Sequence, residues 1–292
     1  MINEATLDKS INNLPIYSPA ISEIITSIKS GPTHGNDIVH LFEKDQKLDR
    51  VVVELINSEF YSFGRKVTTL HQAFRIFGTD PVRKLMFMIN LINSLRYEIV
   101  LDEIKSFWEH SFGVSYIGEF IGKKVGYPNI EKIYIAGLIH DLGKIVLFKD
   151  YPVDFMRVIN FIKEKKHDFV KAEKELLGIT HCEIGLGLAK KLQFPSDLCE
   201  VVQHHHNIHE ATIDPKLTAI INLADIIVKT HYTGFEMLNF RRIGFMELEE
   251  QQSWKVLVNS AHFNLDSFFD EVEDKIDRIS EIIDRVFELL DR

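Results

Sequence analysis

Side chains able to ligate a metal or move a proton recur in apolar surroundings through the middle of this chain. They are His110, the pair His140-Asp141, His181, the run His204-His205-His206, and Asp225 within IINLADIIV. His140 and Asp141 lie in the stretch YIAGLIHDLGKIVLF, Tyr134 to Phe148, where apolar residues at helical spacing lead into the pair and Gly143 and Lys144 follow it. That pattern predicts a helix delivering an imidazole and a carboxylate into one cavity. Imidazole nitrogen and carboxylate oxygen together suit a divalent ion such as Fe, Mn, Zn or Mg. A second ion within about 4 Å of the first requires a shared carboxylate, and Asp141 is the candidate. One buried histidine is ordinarily satisfied by a hydrogen bond, so it is the number of partners that favours a metal.

Several of these residues have a competing reading. Asp225 is flanked by Ala224 and Ile226, and burying a carboxylate there without a partner is costly, so it needs a metal, a histidine or a helix cap. Lys144, or Glu109, near such a cavity would transfer protons or contact a leaving oxygen or phosphate; otherwise Lys144 carries its ammonium to solvent along an apolar stem. Cys182, beside His181, reads as a small buried hydrophobe, with a thiolate ligand as the alternative. His34, His40 and His71 have no ligand spacing and read as surface or capping residues.

The elements that must position these groups read as helices throughout. Before residue 100, short helical patterns follow Pro19, Asn36 and Asp49, and Thr69 precedes another as its N-cap. The segment DRVVVELINS, Asp49 to Ser58, has three valines but keeps apolar residues at spacings of three and four, which favours a helix over a strand. Asp80-Pro81 reads as N-cap and first helical residue of the next. Tyr97 to Ser106 links this part to a helix carrying His110, Val114, Ile117 and Ile121 on one inward stripe, with glycines at 113, 118 and 122 allowing close contact. Thr180 with Glu183 forms a capping box that leaves His181 in the first turn. Asp214-Pro215 opens the helix of Asp225. Trp254, Leu257 and Val258 mark a buried contact, and from 266 to 292 apolar residues at Val272, Ile276, Ile279, Ile283, Val286 and Leu290 predict an amphipathic helix of about six turns.

Composition narrows the classes. The chain has 292 residues, 45% of them hydrophobic and 21 of them Phe, which is globular. A net charge of -9 argues against broad nucleic-acid binding through phosphate neutralisation. Residues 266 to 292 hold ten acidic and four basic side chains, an acidic face suited to docking on the bundle or on another chain rather than on an anionic membrane. The opening MINEATLDKSINN lacks a signal-peptide pattern, and the apolar run from Leu85 to Leu95 is too short to span a bilayer. Two cysteines, Cys182 and Cys199, supply no disulfide framework and fit a reducing compartment, so a cytoplasmic location is expected.

The order LPIYSPA, then DRVVVELINSEFYSFGRKVTTLHQAFRIFGTDPVRKLMF, resembles the first half of the bacterial HDOD family, the HD-related output domain, with Asn57, Ser58, Thr69, Leu70, Ala73 and Gly78 matching in order. The resemblance runs over roughly residues 14 to 235. A separate His, then His-Asp, then a distant Asp is also similar to the HD superfamily of metal-dependent phosphohydrolases. The resemblance implies that His110, His140, Asp141 and Asp225 hold a first metal. The His-x-Glu-Ile-Gly pattern at His181 to Gly185, followed by Phe194-Pro195 and paired histidines, resembles HDOD and HD-GYP proteins; it implies that His181, His205 and His206 hold a second metal, with His204 the alternative if the register slips by one. The Gly-Tyr-Pro segment that HD-GYP enzymes carry after those histidines is absent; Gly126-Tyr127-Pro128 lies before His140.

These readings together predict an all-α protein: a short-helix N-terminal subdomain, residues 1–100, packed on an HD-like helical bundle at 101–235, with a helical extension at 236–292. The resemblance implies a signal-transduction or output module that binds one or two divalent ions and works through other signalling proteins or a homodimer partner. The alternative is a metal-dependent phosphohydrolase or cyclic-nucleotide phosphodiesterase acting on a phosphorylated small molecule or nucleotide, with Asp141 and Lys144 in catalytic roles.

Overall fold

The computed structural model describes residues 2–14, 19–30, 46–61, 65–95, 101–165, 168–231, 251–258, 268, 271–272 and 278–292. Among these residues the regular elements are all helical, so the protein is all-α. In order they are α1 (Glu4–Asn13), α2 (Pro19–Ser30), α3 (Gln46–Ile56), α4 (Leu70–Phe77), α5 (Thr79–Leu95), α6 (Leu101–Lys124), α7 (Ile130–Ile139) and α8 (Leu142–Asp150). Then come α9 (Pro152–Lys165), α10 (Phe169–Leu177), α11 (His181–Lys191), α12 (Ser196–His204), a 3-10 turn (Ile208–Glu210), α13 (Pro215–His231), α14 (Gln252–Val258) and α15 (Ile279–Asp291). They form two compact units: Met1–Leu14 with Glu109–Ile276, and Pro15–Trp108 with Asp277–Arg292. None of the described helices is long and apolar enough to cross a membrane.

In the unit that begins at Pro15, the three valines of DRVVVELINS enter α3, which buries Leu48, Val51, Val52, Leu55 and Ile56. Helix α5 packs against α2, α3 and α4, and α15 returns to lie on α3. The α15 stripe of Ile279, Ile283, Val286 and Leu290 is buried, with Arg285 reaching Glu54 at 3.5 Å. Helix α15 itself covers Ile279–Asp291 with Arg278 as its N-cap, and Ile276 lies outside the described residues. Thr69 caps α4 by accepting from the Gln72 amide. Asn57 closes the loop between α3 and α4, its amide donating to the Val67 carbonyl at 2.8 Å and accepting from the Val67 amide at 2.9 Å. Helix α5 starts one residue earlier than Asp80, at Thr79, with Asp80 in its first turn. The segment around Asn36, with His34 and His40, lies outside the described residues, as do Tyr97 to Val100; residues 101 to 106 of the expected link open α6.

The other unit is built around two close helix approaches. On α7, a Cβ at Gly137 would sit 2.5 Å from the Ser115 Cα of α6. On α8, a Cβ at Gly143 would collide with the His181 carbonyl and lie 2.7 Å from the Gly185 amide nitrogen of α11. Only glycine permits backbones this near. Helix α7 also packs on α12 and α13, α11 on α12, and α9 on α8 and α10. Helix α1 lies on α8 and α11, and the Lys191 ammonium donates to its last carbonyls, Ile11 at 2.7 Å and Asn12 at 2.9 Å. Helix α14 packs on α13, and Trp254 and Phe120 both contact the Phe268 ring. The capping box of α11 forms, with Thr180 accepting from the Glu183 amide and Glu183 accepting from that of Thr180.

Glu200 anchors the start of α13. Its carboxylate accepts from the amides of Thr212 (2.5 Å), Ile213 (2.7 Å) and Asp214 (2.6 Å), and Asp214 in turn accepts from Leu217. Burial pushes the Glu200 carboxyl up, but these amides outweigh it and hold the group below its ordinary value. Its contribution is therefore present above the unfolded value of about 4.3 and disappears as pH falls through the lowered folded value. Glu200→Gln is expected to cost about 2 kcal/mol in denaturant unfolding at neutral pH. The gap from the unsubstituted protein should close as the pH is lowered below about 4; a gap unchanged by pH would show that the charge is not what the amides hold.

Candidate metal centre

Seven side chains singled out from the sequence meet inside the unit of α6 to α13. His110 comes from α6 and Asp225 from the middle of α13. His140 and Asp141 form the junction between α7 and α8, rather than riding on one continuous helix. His140 keeps helical angles as the C-cap of α7, whereas Asp141 leaves them at φ -104°, ψ 10°, so the two side chains leave the chain at a bend. His181 opens α11, and His205 and His206 follow the end of α12, where the Asn222 amide of α13 donates to the His205 carbonyl at 2.6 Å. His204 turns away to Glu210 at 3.3 Å.

The donor atoms fall into two overlapping sets. In the first, His110 Nε2 lies 3.3 Å from His140 Nε2, 3.1 Å from Asp225 Oδ1 and 3.5 Å from Asp141 Oδ2. His140 Nε2 lies 3.3 Å from Asp141 Oδ2 and 3.7 Å from Asp225 Oδ1. In the second, His181 Nε2 is 3.2 Å from both Asp141 Oδ1 and His206 Nε2, and His205 Nε2 is 3.5 Å from Asp141 Oδ1. Ligands each about 2.1 Å from one ion sit about 3.0–3.4 Å apart in octahedral or tetrahedral arrangements, close to this spacing. Asp141 offers one oxygen to each set.

Three of the rings have their other nitrogen fixed. His140 Nδ1 donates to the Gly137 carbonyl at 2.7 Å, His181 Nδ1 to Glu173 at 2.7 Å, and His205 Nδ1 to the carbonyls of Val201 and Val202 at 3.2 and 3.1 Å. In a neutral ring this leaves the Nε2 lone pair facing a carboxylate. Asp141 Oδ1, Asp225 Oδ1 and His205 Nε2 are buried and take part in no hydrogen bond. A divalent ion satisfies lone pairs and carboxylates together, so the residues fit a metal.

Charge is concentrated around them. Burial works against an ionised Asp141, yet Lys144 and His140 hold it well below the usual carboxylate range. For Asp225 burial is likewise outweighed, by Lys229 and then His110. Burial lowers His140, but Asp141 and Asp225 push it up to about 9; burial pulls His205 down to about 4 despite Asp141. Lys144 does not reach solvent: it is 3% exposed, with Nζ 2.7 Å from Asp141 Oδ2 and 4.7 Å from the Phe169 ring centroid.

Sequence reasoning missed two participants. Lys229 puts Nζ 2.9 Å from Asp225 Oδ2, and its spacing of four from Asp225 on one helix is a usable signal. Glu173 is fully buried and accepts both the His181 ring proton and the His181 amide, the latter at 2.9 Å. Its setting in the charged run KAEKE resembles a solvated face and conceals this role.

Known proteins share this architecture. The HDOD domain description matches residues 14–208. An uncharacterised protein of Treponema pallidum (strain Nichols) is 21% identical over 267 residues, which are 90% of this chain and 52% of that protein, so the chain spans about half of its relative. The crystal structure of an HDOD domain protein of unknown function from Geobacter sulfurreducens has a TM-score of 0.80 at 25% identity, covering 97% of this chain and 99% of that one. A Shewanella amazonensis protein provisionally named a phosphohydrolase has a TM-score of 0.75 at 21% identity, covering 97% and 98%, a likeness of fold alone. With the domain matched over more than half its length, the chain belongs to the HDOD family.

Proposed function

We propose that this chain is a signal-transduction or output module that holds one or two divalent ions and acts through contacts with other signalling proteins or a second copy of itself. His110, His140, Asp141 and Asp225 would hold one ion, and His181, His205 and His206 the other, with Asp141 shared. The observation that carries the metal reading is the buried, unbonded His205 Nε2 facing the equally unbonded Asp141 Oδ1 at 3.5 Å. Fe, Mn and Zn suit this mixture of imidazole and carboxylate better than Mg, which prefers oxygen. Two buried free cysteines support a reducing, cytoplasmic setting.

A second reading, metal-dependent phosphoester hydrolysis, is favoured by the two lysines. Lys144 and Lys229 already offset the charges of Asp141 and Asp225. Divalent ions would therefore leave the cavity net positive, which suits a phosphoryl group. Bound ions would supply Lewis acidity and an activated water. Asp141 would hold both ions and Lys144 would pair with a phosphate oxygen.

Elemental analysis of untagged protein purified without chelator is expected to find about two Fe, Mn or Zn ions per chain, lost in a His140→Ala, Asp141→Ala double variant. No metal even after anaerobic reconstitution would sink both readings' metal. The loaded protein is then assayed with bis(p-nitrophenyl) phosphate. Hydrolysis above that of the double variant would support the enzyme, and equal rates would leave the signalling module. Glu173→Ala, which releases the His181 ring, is expected to weaken metal binding ~10–100-fold by competition with a chromophoric chelator; unchanged affinity would remove Glu173 from the site.

A further inference from the structure

We propose that Cys182 contributes a thiolate to the second ion position, making the two positions chemically unequal: nitrogen and oxygen around His110, His140, Asp141 and Asp225, but sulfur added to the nitrogens of His181, His205 and His206 and the shared Asp141 oxygen at the other. This rests on the metal-binding reading and adds a ligand to it.

The side chain is 6% exposed, and its Sγ lies 3.4 Å from His181 Nε2. Donor atoms of His181, Cys182, His205 and His206 all fall within 4.8 Å of one another. With bonds of about 2.3 Å to sulfur and about 2.1 Å to nitrogen, a tetrahedral ion spaces such a pair about 3.6 Å apart. The second observation is independent of sulfur: His205 Nε2, on a ring with no exposure, points into this group without a hydrogen bond. His181 Nε2 cannot be satisfied by sulfur alone, since it also lies 3.2 Å from both His206 Nε2 and Asp141 Oδ1. One cation among these atoms accounts for all of these approaches.

The chain's other cysteine behaves differently. Cys199 Sγ donates to the Phe194 carbonyl at 3.6 Å and belongs to none of the donor groups among the described residues. It serves as an internal control.

Ligation replaces the S–H bond with a sulfur–metal bond and releases the thiol proton to solvent; no oxidant or reductant takes part. A thiolate favours Zn, Co(II) and Fe(II) over Mg and Mn. The second position should therefore take one of the former group while the first tolerates harder ions.

The test uses the full chain, freed of metal and titrated anaerobically with Co(II), with bound cobalt measured by elemental analysis beside the absorption spectrum. The unsubstituted protein and Cys199→Ser, in which Cys182 is the last cysteine, are expected to show a near-ultraviolet thiolate-to-cobalt charge-transfer band. Cys182→Ser and Cys182→Ala are expected to lose the band and to bind one cobalt at least ~10-fold more weakly. Cobalt bound without that band in the unsubstituted protein, or a band surviving in the Cys182 variants, would overturn the thiolate while leaving the metal site. Absence of any bound cobalt would overturn both.

Discussion

Five histidine rings and two carboxylates converge on one largely buried site, with ring Nε2 atoms and carboxylate oxygens turned toward each other. Such groups repel unless positive charge sits among them, and the low polarity of the interior magnifies the repulsion. The protein supplies part of that charge itself. Lys144 and Lys229 each hold one carboxylate oxygen, leaving the others, Asp141 Oδ1 and Asp225 Oδ1, turned to the histidines. The stretch from α6 to α13 is arranged around this constraint: every one of these helices except α9 either carries a donor or fixes one.

Precision comes from backbone as much as from side chains. Gly137 lets α7 touch α6, which sets His140 beside His110, and Gly143 lets α8 touch α11, which sets Asp141 beside His181. The bend at Asp141 lets a single carboxylate face both histidine sets. Ring orientation is then fixed from behind by carbonyls of Gly137, Val201 and Val202 and by the Glu173 carboxylate. A metal-binding histidine ordinarily gains basicity from such a partner.

That these side chains converge was legible in part: His110, His140, Asp141, His181 and Asp225 stand among apolar residues, where an imidazole or a carboxylate must be paired or hold a cation, whereas the register of His205 and His206 rested on the family resemblance. Helix type was legible too, as were the caps at Thr69 and Thr180, because capping depends on residues three apart. The break between His140 and Asp141 was not, since the apolar pattern continues through it and only tertiary packing at Gly137 and Gly143 decides where the helix ends. Lys144 was ambiguous, as a lysine's long stem suits burial and exposure equally; Phe169 and Asp141, distant or local in sequence, settle it. Glu173 was concealed among charged neighbours. The return of α15 to α3 is a long-range pairing that no local pattern announces.

Asp225 has a further consequence through its place in the chain. It is the last donor in sequence, and α13 brings it to His110, the first, so the loop between them must be closed before the full set meets. Closing so long a loop is an entropic cost that local helix formation does not recover. A partly folded chain would thus offer an ion only fragments of the proposed donor set, and the complete affinity would arise together with the native state. Any ion that binds there adds its binding free energy to the stability of the finished fold. For a cell, occupancy of this cavity would report that the unit has finished folding.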